Sequence, residues 1–259
     1  MIMRSELRTP GGADDAARIE ARRAVRTGLG VAIATSAYGV SFGALAVASG
    51  LSVWQACVLS LVMFTGGSQF AFVGVIAAGG LAAAPAAIAS AALLGVRNVA
   101  YGMRMAPVVG TSLWRRVAAM PFTIDESTAV SLAQTSGRAR TLGFWVTGIG
   151  IYLGWNLTTF AGALLGDVLG DPKAYGLDAA AAAAFLALLW PRLRRRQAIA
   201  VGVAAAVVAA ATTPTLMPGL PVLVAALVAI VVGWFNWLGA KDGAAPAEPD
   251  DVAEREGLP

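Results

Sequence analysis

The chain has 259 residues, 58% hydrophobic and 13% charged, with mean hydropathy +0.70, formal net charge +4 and pI near 9.7. A soluble domain of this length carries roughly twice that charged fraction, so the composition points to a membrane-embedded protein. With no histidine and one cysteine, the chain excludes His-based zinc sites, Ser-His nucleophile pairs, imidazole relays and an internal disulfide.

Residues 1–26 are polar, with six arginines against four acids, and residues 14–26 suit a short surface helix. The apolar stretch 28–48 follows. Together they resemble a long signal peptide, and Ala46-Val47-Ala48 offers a small-x-small site. The stretch is too long for an h-region of ~7–15 residues, and further apolar stretches follow at once, so an anchor is expected.

Residues 27–96 and 197–240 contain no charged side chain. About 20 apolar residues cross a bilayer as a helix, so these two regions hold several spans. The expected spans are 28–48, 53–78, 82–96, a polar-interrupted 117–136, 142–165, 179–189, 198–212 and 220–238. The tail from Lys241 is rich in Ala, Pro, Asp and Glu and is expected to be disordered. The expected organisation is a cytoplasmic segment (1–26), one transmembrane transport domain (27–240) and a cytoplasmic tail (241–259).

Arginine placement sets orientation. The N-terminal arginines, Arg138, Arg140, the cluster Arg192, Arg194, Arg195 and Arg196, and Lys241 all suit the cytoplasm. The acidic loop 166–178 suits the outside. Eight crossings satisfy these if 117–136 crosses, leaving Arg115 and Arg116 outside. The competing layout has seven, with 117–136 in the interface or re-entering. Arginine clusters beside apolar stretches set topology, and no nucleic-acid partner is expected. The expected fold is therefore all-α and polytopic, with seven or eight transmembrane segments and at least one broken helix.

Two segments echo each other, either as an internal repeat or as a chance likeness of Ala- and Gly-rich spans. Ser41-Phe42-Gly43-Ala44-Leu45 is echoed by Phe160-Ala161-Gly162-Ala163-Leu164. Gly50-Leu51-Ser52 and Gly176-Leu177-Asp178 each open a following apolar stretch, with Ser52 and Asp178 at the N-cap. Duplicated halves are frequent in secondary transporters, with the substrate site between them.

Lipid supplies no partner for a freed backbone group, so a break at depth must be buried or line a wet cavity. Thr65-Gly66-Gly67-Ser68-Gln69, inside the apolar stretch 53–78, is the expected break. Unwinding there would free N–H and C=O groups for a zwitterionic ligand, although the glycines also suit close helix packing. Arg97-Asn98-Val99-Ala100-Tyr101-Gly102-Met103-Arg104 puts Arg97 and Arg104 on one helical face with Tyr101 between, a stripe able to hold a carboxylate. Interfacial snorkelling accounts for the same residues. Asp125 and Glu126 are the only acids between Glu20 and Asp167. Inside a membrane they need a partner or a role, so they are candidates for proton coupling or for pairing with Arg97 or Arg104. Trp155-Asn156-Leu157-Thr158-Thr159 adds polar groups in mid-span, with Asn156 a candidate ligand contact.

Four stretches taken in order resemble the AzlC family, the large subunit of bacterial branched-chain amino acid exporters. They are Tyr38-Gly39-Val40-Ser41-Phe42-Gly43, Phe64-Thr65-Gly66-Gly67-Ser68-Gln69-Phe70, Arg97-Asn98-Val99-Ala100-Tyr101-Gly102 and Thr123-Ile124-Asp125-Glu126-Ser127. The resemblance covers roughly residues 23–191. It implies export of hydrophobic amino acids and a small membrane partner similar to AzlD. The family often has histidine where this chain has Asn98, so any proton role of that histidine is missing here or has moved to Asp125 or Glu126.

The expected function is secondary export across the cytoplasmic (inner) membrane, since no phosphate loop for ATP is present. Neither a cofactor nor a metal site is expected. A non-transporting assembly subunit and an intramembrane enzyme are the alternatives. An intramembrane diacid protease needs opposed carboxylates, whereas adjacent residues such as Asp125 and Glu126 point apart on a helix.

Overall fold

The computed structural model describes residues 10–169, 186, 190, 193, 196–217 and 220–235, and every regular element among them is helical. They divide into two units, Met1–Phe185 and Leu186–Pro259. The expected span 179–189 falls almost wholly outside the described residues, as do Asp178 and the tail.

In the first unit, α1 (Pro10–Ala48) is followed by α2 (Val53–Val62), α3 (Gly66–Gly79), α4 (Ala84–Gly95), α5 (Arg97–Val109), α6 (Leu113–Ala119), α7 (Asp125–Leu132) and α8 (Gly137–Leu169). Short 3-10 turns occupy Gly80–Ala83 and Met120–Phe122. Asp15–Ala48, Gly66–Val109 and Gly137–Val168 each contain an apolar stretch long enough to cross a bilayer. The middle one is two arms. Gly80 adopts φ 61°, and the chain folds back so that Ser68 on α3 meets Gly95 on α4.

The unit is organised on α1 and α8, which run in the same direction. Glu20 meets Thr135 and Ser136, Gly28 lies against Thr147, Ser36 against Thr158 and Ala44 against Gly166. Small residues make this contact, as helices without a hydrophobic driving force between them require. A Cβ on Gly43 would overlap the Thr159 carbonyl, and one on Gly162 the Val40 carbonyl. These contacts are the same pair with the roles exchanged. In the sequence echo Gly43 aligns with Gly162, and in that register Val40 aligns with Thr159. The two echoing segments thus pack on each other about a local two-fold.

At the polar end of α1, the Glu20 carboxylate accepts from the Thr135 N–H (2.5 Å), the Thr135 hydroxyl (2.7 Å) and the Ser136 N–H (3.2 Å). It holds the two residues that lead into α8, where the Ser136 hydroxyl in turn accepts from the Ala139 N–H (3.3 Å). Ser52 caps α2 as expected, its hydroxyl accepting from the Gln55 N–H while the Gln55 side chain accepts from the Ser52 N–H.

The stretch 117–136, expected either to cross or to lie in the interface or re-enter, is broken. It forms no continuous span but α6, a 3-10 turn at Met120–Phe122 and the eight-residue α7, each far shorter than the ~20 residues a crossing needs. Pro121 lies in the turn, and Ser127 fixes the restart: its hydroxyl donates to the Phe122 carbonyl (2.6 Å) and accepts from the Ile124 N–H (3.2 Å). α7 runs antiparallel to the first half of α8, with Phe122 on Gly148 and Val130 on Gly143.

In the second unit, α9 (Arg196–Thr212) and α10 (Leu220–Phe235) pack against each other.

Candidate functional site

The chain breaks at residues 63–65, between α2 and α3. The sequence placed the unwinding at 65–69. The structure corrects this: Thr65 is the extended N-cap (φ −159°, ψ 105°), and Gly66, Gly67, Ser68 and Gln69 are already helical. Gln69 is the first residue of α3 whose N–H returns to a helical carbonyl, that of Thr65. Gly66, Gly67 and Ser68 thus supply the open N–H groups of the helix start, which favour an anion.

The other side of the break is closed by side chains. The Gln69 amide donates to the Ser60 carbonyl (3.4 Å) and the Tyr152 hydroxyl to the Leu61 carbonyl (3.3 Å). These satisfy two carbonyls at the end of α2. Gln69 is fully buried, so its amide nitrogen holds the break together. Tyr152 was absent from the expected site, because nothing in its local sequence ties it to a carbonyl 91 positions away.

Three groups surround the first turn of α3. The Trp155 ring lies 3.3 Å from where a Cβ on Gly66 would sit. It also stacks on Phe42 and meets Phe70 edge-on, with both ring centroids 6.3 Å away. The Arg97 guanidinium lies 3.1 Å from a Cβ position on Gly67, and Ser68 Oγ 3.7 Å from one on Gly95. Glycine at these positions is a matter of space, since their backbone is ordinary helix.

Arg97 Nη1 is 3.0 Å from Asp125 Oδ2, with about a quarter of each side chain exposed (28% and 27%). This joins the second, third and fourth motifs in one place. The expected Arg97–Tyr101–Arg104 stripe does not form as a unit: Arg97 turns inward to Asp125, Tyr101 is half-buried and Arg104 is exposed. Glu126 is half-buried beside Asp125 in the first turn of α7. Asn98 is half-buried on α5. The Asn156 amide donates to the Tyr152 carbonyl one turn back (2.7 Å), an ordinary helix-internal bond. Thr158 Oγ1 lies 2.5 Å from the Ser36 carbonyl, serving the α1–α8 contact.

Several buried polar atoms here have no hydrogen-bond partner: Ser68 Oγ, Gln69 Oε1, Arg97 Nε, Asn98 Oδ1, Trp155 Nε1 and Asn156 Oδ1. Native proteins leave few such atoms, and six of the ten found among the described residues fall here.

Beside the α3 start lies an open cavity of about 350 Å³. Thr65, Ser68 and Phe72 line it from α3 and Leu59 and Met63 from the end of α2. The opposite wall is Ile88, Ala91, Ala92 and Gly95 of α4. Sequence reading missed this wall, although its i, i+3, i+4, i+7 spacing marks one helical face.

Apolar helices long enough to cross a bilayer, and an ion pair beside the interruption between α2 and α3, fit an all-helical membrane protein. The AzlC protein family model matches residues 30–169, more than half of the chain, and the chain belongs to that family. The match runs from within α1 to the last residue of α8 and contains all four motifs. The family is associated with branched-chain amino acid transport rather than catalysis. Comparison with curated proteins and with solved structures gives no match.

Proposed function

We propose that the protein is a secondary exporter of branched-chain and related hydrophobic amino acids across the cytoplasmic membrane, with both termini cytoplasmic. The observation that carries this reading is the meeting of the α3 start with Arg97 and Asp125. A guanidinium beside open helix N–H groups makes a strongly anion-seeking corner. The Asp125 carboxylate answers it. A substrate carboxylate competes for the same donors, and the displaced Asp125 is then available for the substrate ammonium or for a proton. Glu126, next in the same turn, shares that environment. Thr65, Gly66, Gly67, Ser68 and Arg97 form the carboxylate end. Asn98, Tyr101, Gln69 and Asn156 surround or support it.

Family members usually work with a small partner subunit, and a short membrane chain similar to AzlD is the partner proposed here. Efflux of radiolabelled leucine from preloaded cells, with and without the gene and its small partner, tests the reading. Expression should accelerate efflux several-fold. Equal efflux in both would contradict export and leave an assembly role. Replacing Asp125 with Asn and Glu126 with Gln together should flatten the pH dependence of efflux. An unchanged pH profile would remove the coupling role.

A further inference from the structure

The cavity on the α3–α4 hairpin supplies a part of the site that no polar motif announces. Resting on the transport reading above, we infer that it receives the aliphatic side chain of the transported amino acid, with Ala92 setting the size that fits. Its volume of about 350 Å³ suits a small organic ligand. Its walls are hydrocarbon, from Leu59 and Met63 to Phe72 and Ile88. At one end Thr65 and Ser68 line it, where α3 begins. Ser68 is 1% exposed, and its Oγ has no partner although it lies at the cavity edge beside Gly95.

A branched-chain amino acid has the same asymmetry. Its carboxylate and ammonium sit one carbon from a compact hydrocarbon group, as the start of α3 sits beside this cavity. A lipid tail would match the walls but would leave Ser68 and the α3 N–H groups unanswered, so the occupant is a free aliphatic amino acid. Ala92 is exposed on the cavity face of α4, so a larger side chain there can fill the space without displacing the core. Ala91, 3% exposed, is the adjoining wall.

The test compares efflux of labelled alanine, valine and leucine from cells carrying the protein and its partner, at equal membrane abundance. In the wild type, affinity should rise about four-fold for each added carbon up to leucine, the value of one buried methylene. Ala92→Phe should cut leucine efflux at least ten-fold and leave alanine efflux within two-fold. Ser68→Ala removes a hydroxyl that bonds nothing in the fold, so the protein should accumulate normally and lose efflux of all three substrates alike. Wild type that exports none of the three sinks the transport reading, and this inference with it. Wild type that exports leucine while Ala92→Phe keeps the same leucine-to-alanine ratio sinks the inference alone. So does a phospholipid that co-purifies with wild type and is lost from Ala92→Phe without change in that ratio.

Discussion

Arg97 carries two relations at once: an ion pair to Asp125 and a close approach to Gly67. With about a quarter of each charged side chain exposed, the pair adds modestly to stability, and its value lies in where it holds the guanidinium. A methyl at Gly67 would lie 3.1 Å from Nη2, the far end of a flexible side chain that can give way. Gly67→Ala should therefore fold, with thermal stability within about 1 kcal/mol of wild type, and export leucine several-fold more slowly. Wild-type efflux from a folded Gly67→Ala would break the link between Arg97's position and transport. The sequence offered Asp125 two arginines and could not choose. Choosing needs the three-dimensional return of α7 to α5, which no local pattern encodes.

Glu20 belongs to the same scale. The arginines and acids around it keep this part of α1 out of hydrocarbon, and the hydroxyl and N–H groups of Ser136 and Thr135 lower its pKa from 4.5 to about 2. A carboxyl lowered by folding stabilises fully above its unfolded value, and that contribution fades as pH falls from 4.5 towards 2. Glu20→Gln should thus melt below wild type at pH 7, with the gap closing towards pH 2 in a thermal melt. A gap that persists at pH 2 would mean that the carboxylate charge is not what holds α1 to Thr135 and Ser136.

At the scale of elements, two interruptions decide the architecture. The first was legible within about two residues, because Gly-Gly-Ser-Gln in an apolar run is a poor lipid-facing helix. Its true position depends on Tyr152 and Gln69 closing the α2 carbonyls, contacts that sequence periodicity does not reveal. The second was legible only as a choice between a crossing and an interfacial or re-entrant segment. Hydropathy over 117–136 suggests a span, but Pro121 and the Ser127 hydroxyl stop and restart the helix. The α1–α8 contact was legible only as an echo of glycines. Its energetics are testable with a matched pair: a Cβ on Gly43 overlaps the Thr159 carbonyl, whereas one on Gly30 meets nothing within 4 Å. Gly43→Ala should destabilise by about 1–3 kcal/mol, and Gly30→Ala should be neutral or slightly stabilising. Equal melting temperatures for the two variants would contradict the close α1–α8 packing.

At the scale of the molecule, the parallel run of α1 and α8 constrains how the chain is threaded. If both cross the membrane, the segment between them must return the chain to its starting side. The seven-crossing layout, as drawn from arginine placement, would make them antiparallel. The eight-crossing layout makes them parallel but calls on 117–136 as a continuous helix, which it is not. The return is made from short and interrupted helices, and these carry Arg97, Asp125 and the open start of α3. Charge counting reads loops and whole spans, so it had no way to register half-length pieces. The polar site and the reversal are thus one feature: the pieces that cannot cross alone are those that hold the ion pair. Leucine efflux, measured for Arg97→Gln beside Arg104→Gln at equal membrane abundance, tests this most directly. The account predicts at least a ten-fold loss for Arg97→Gln and near-normal efflux for Arg104→Gln. Wild-type efflux from Arg97→Gln would contradict it.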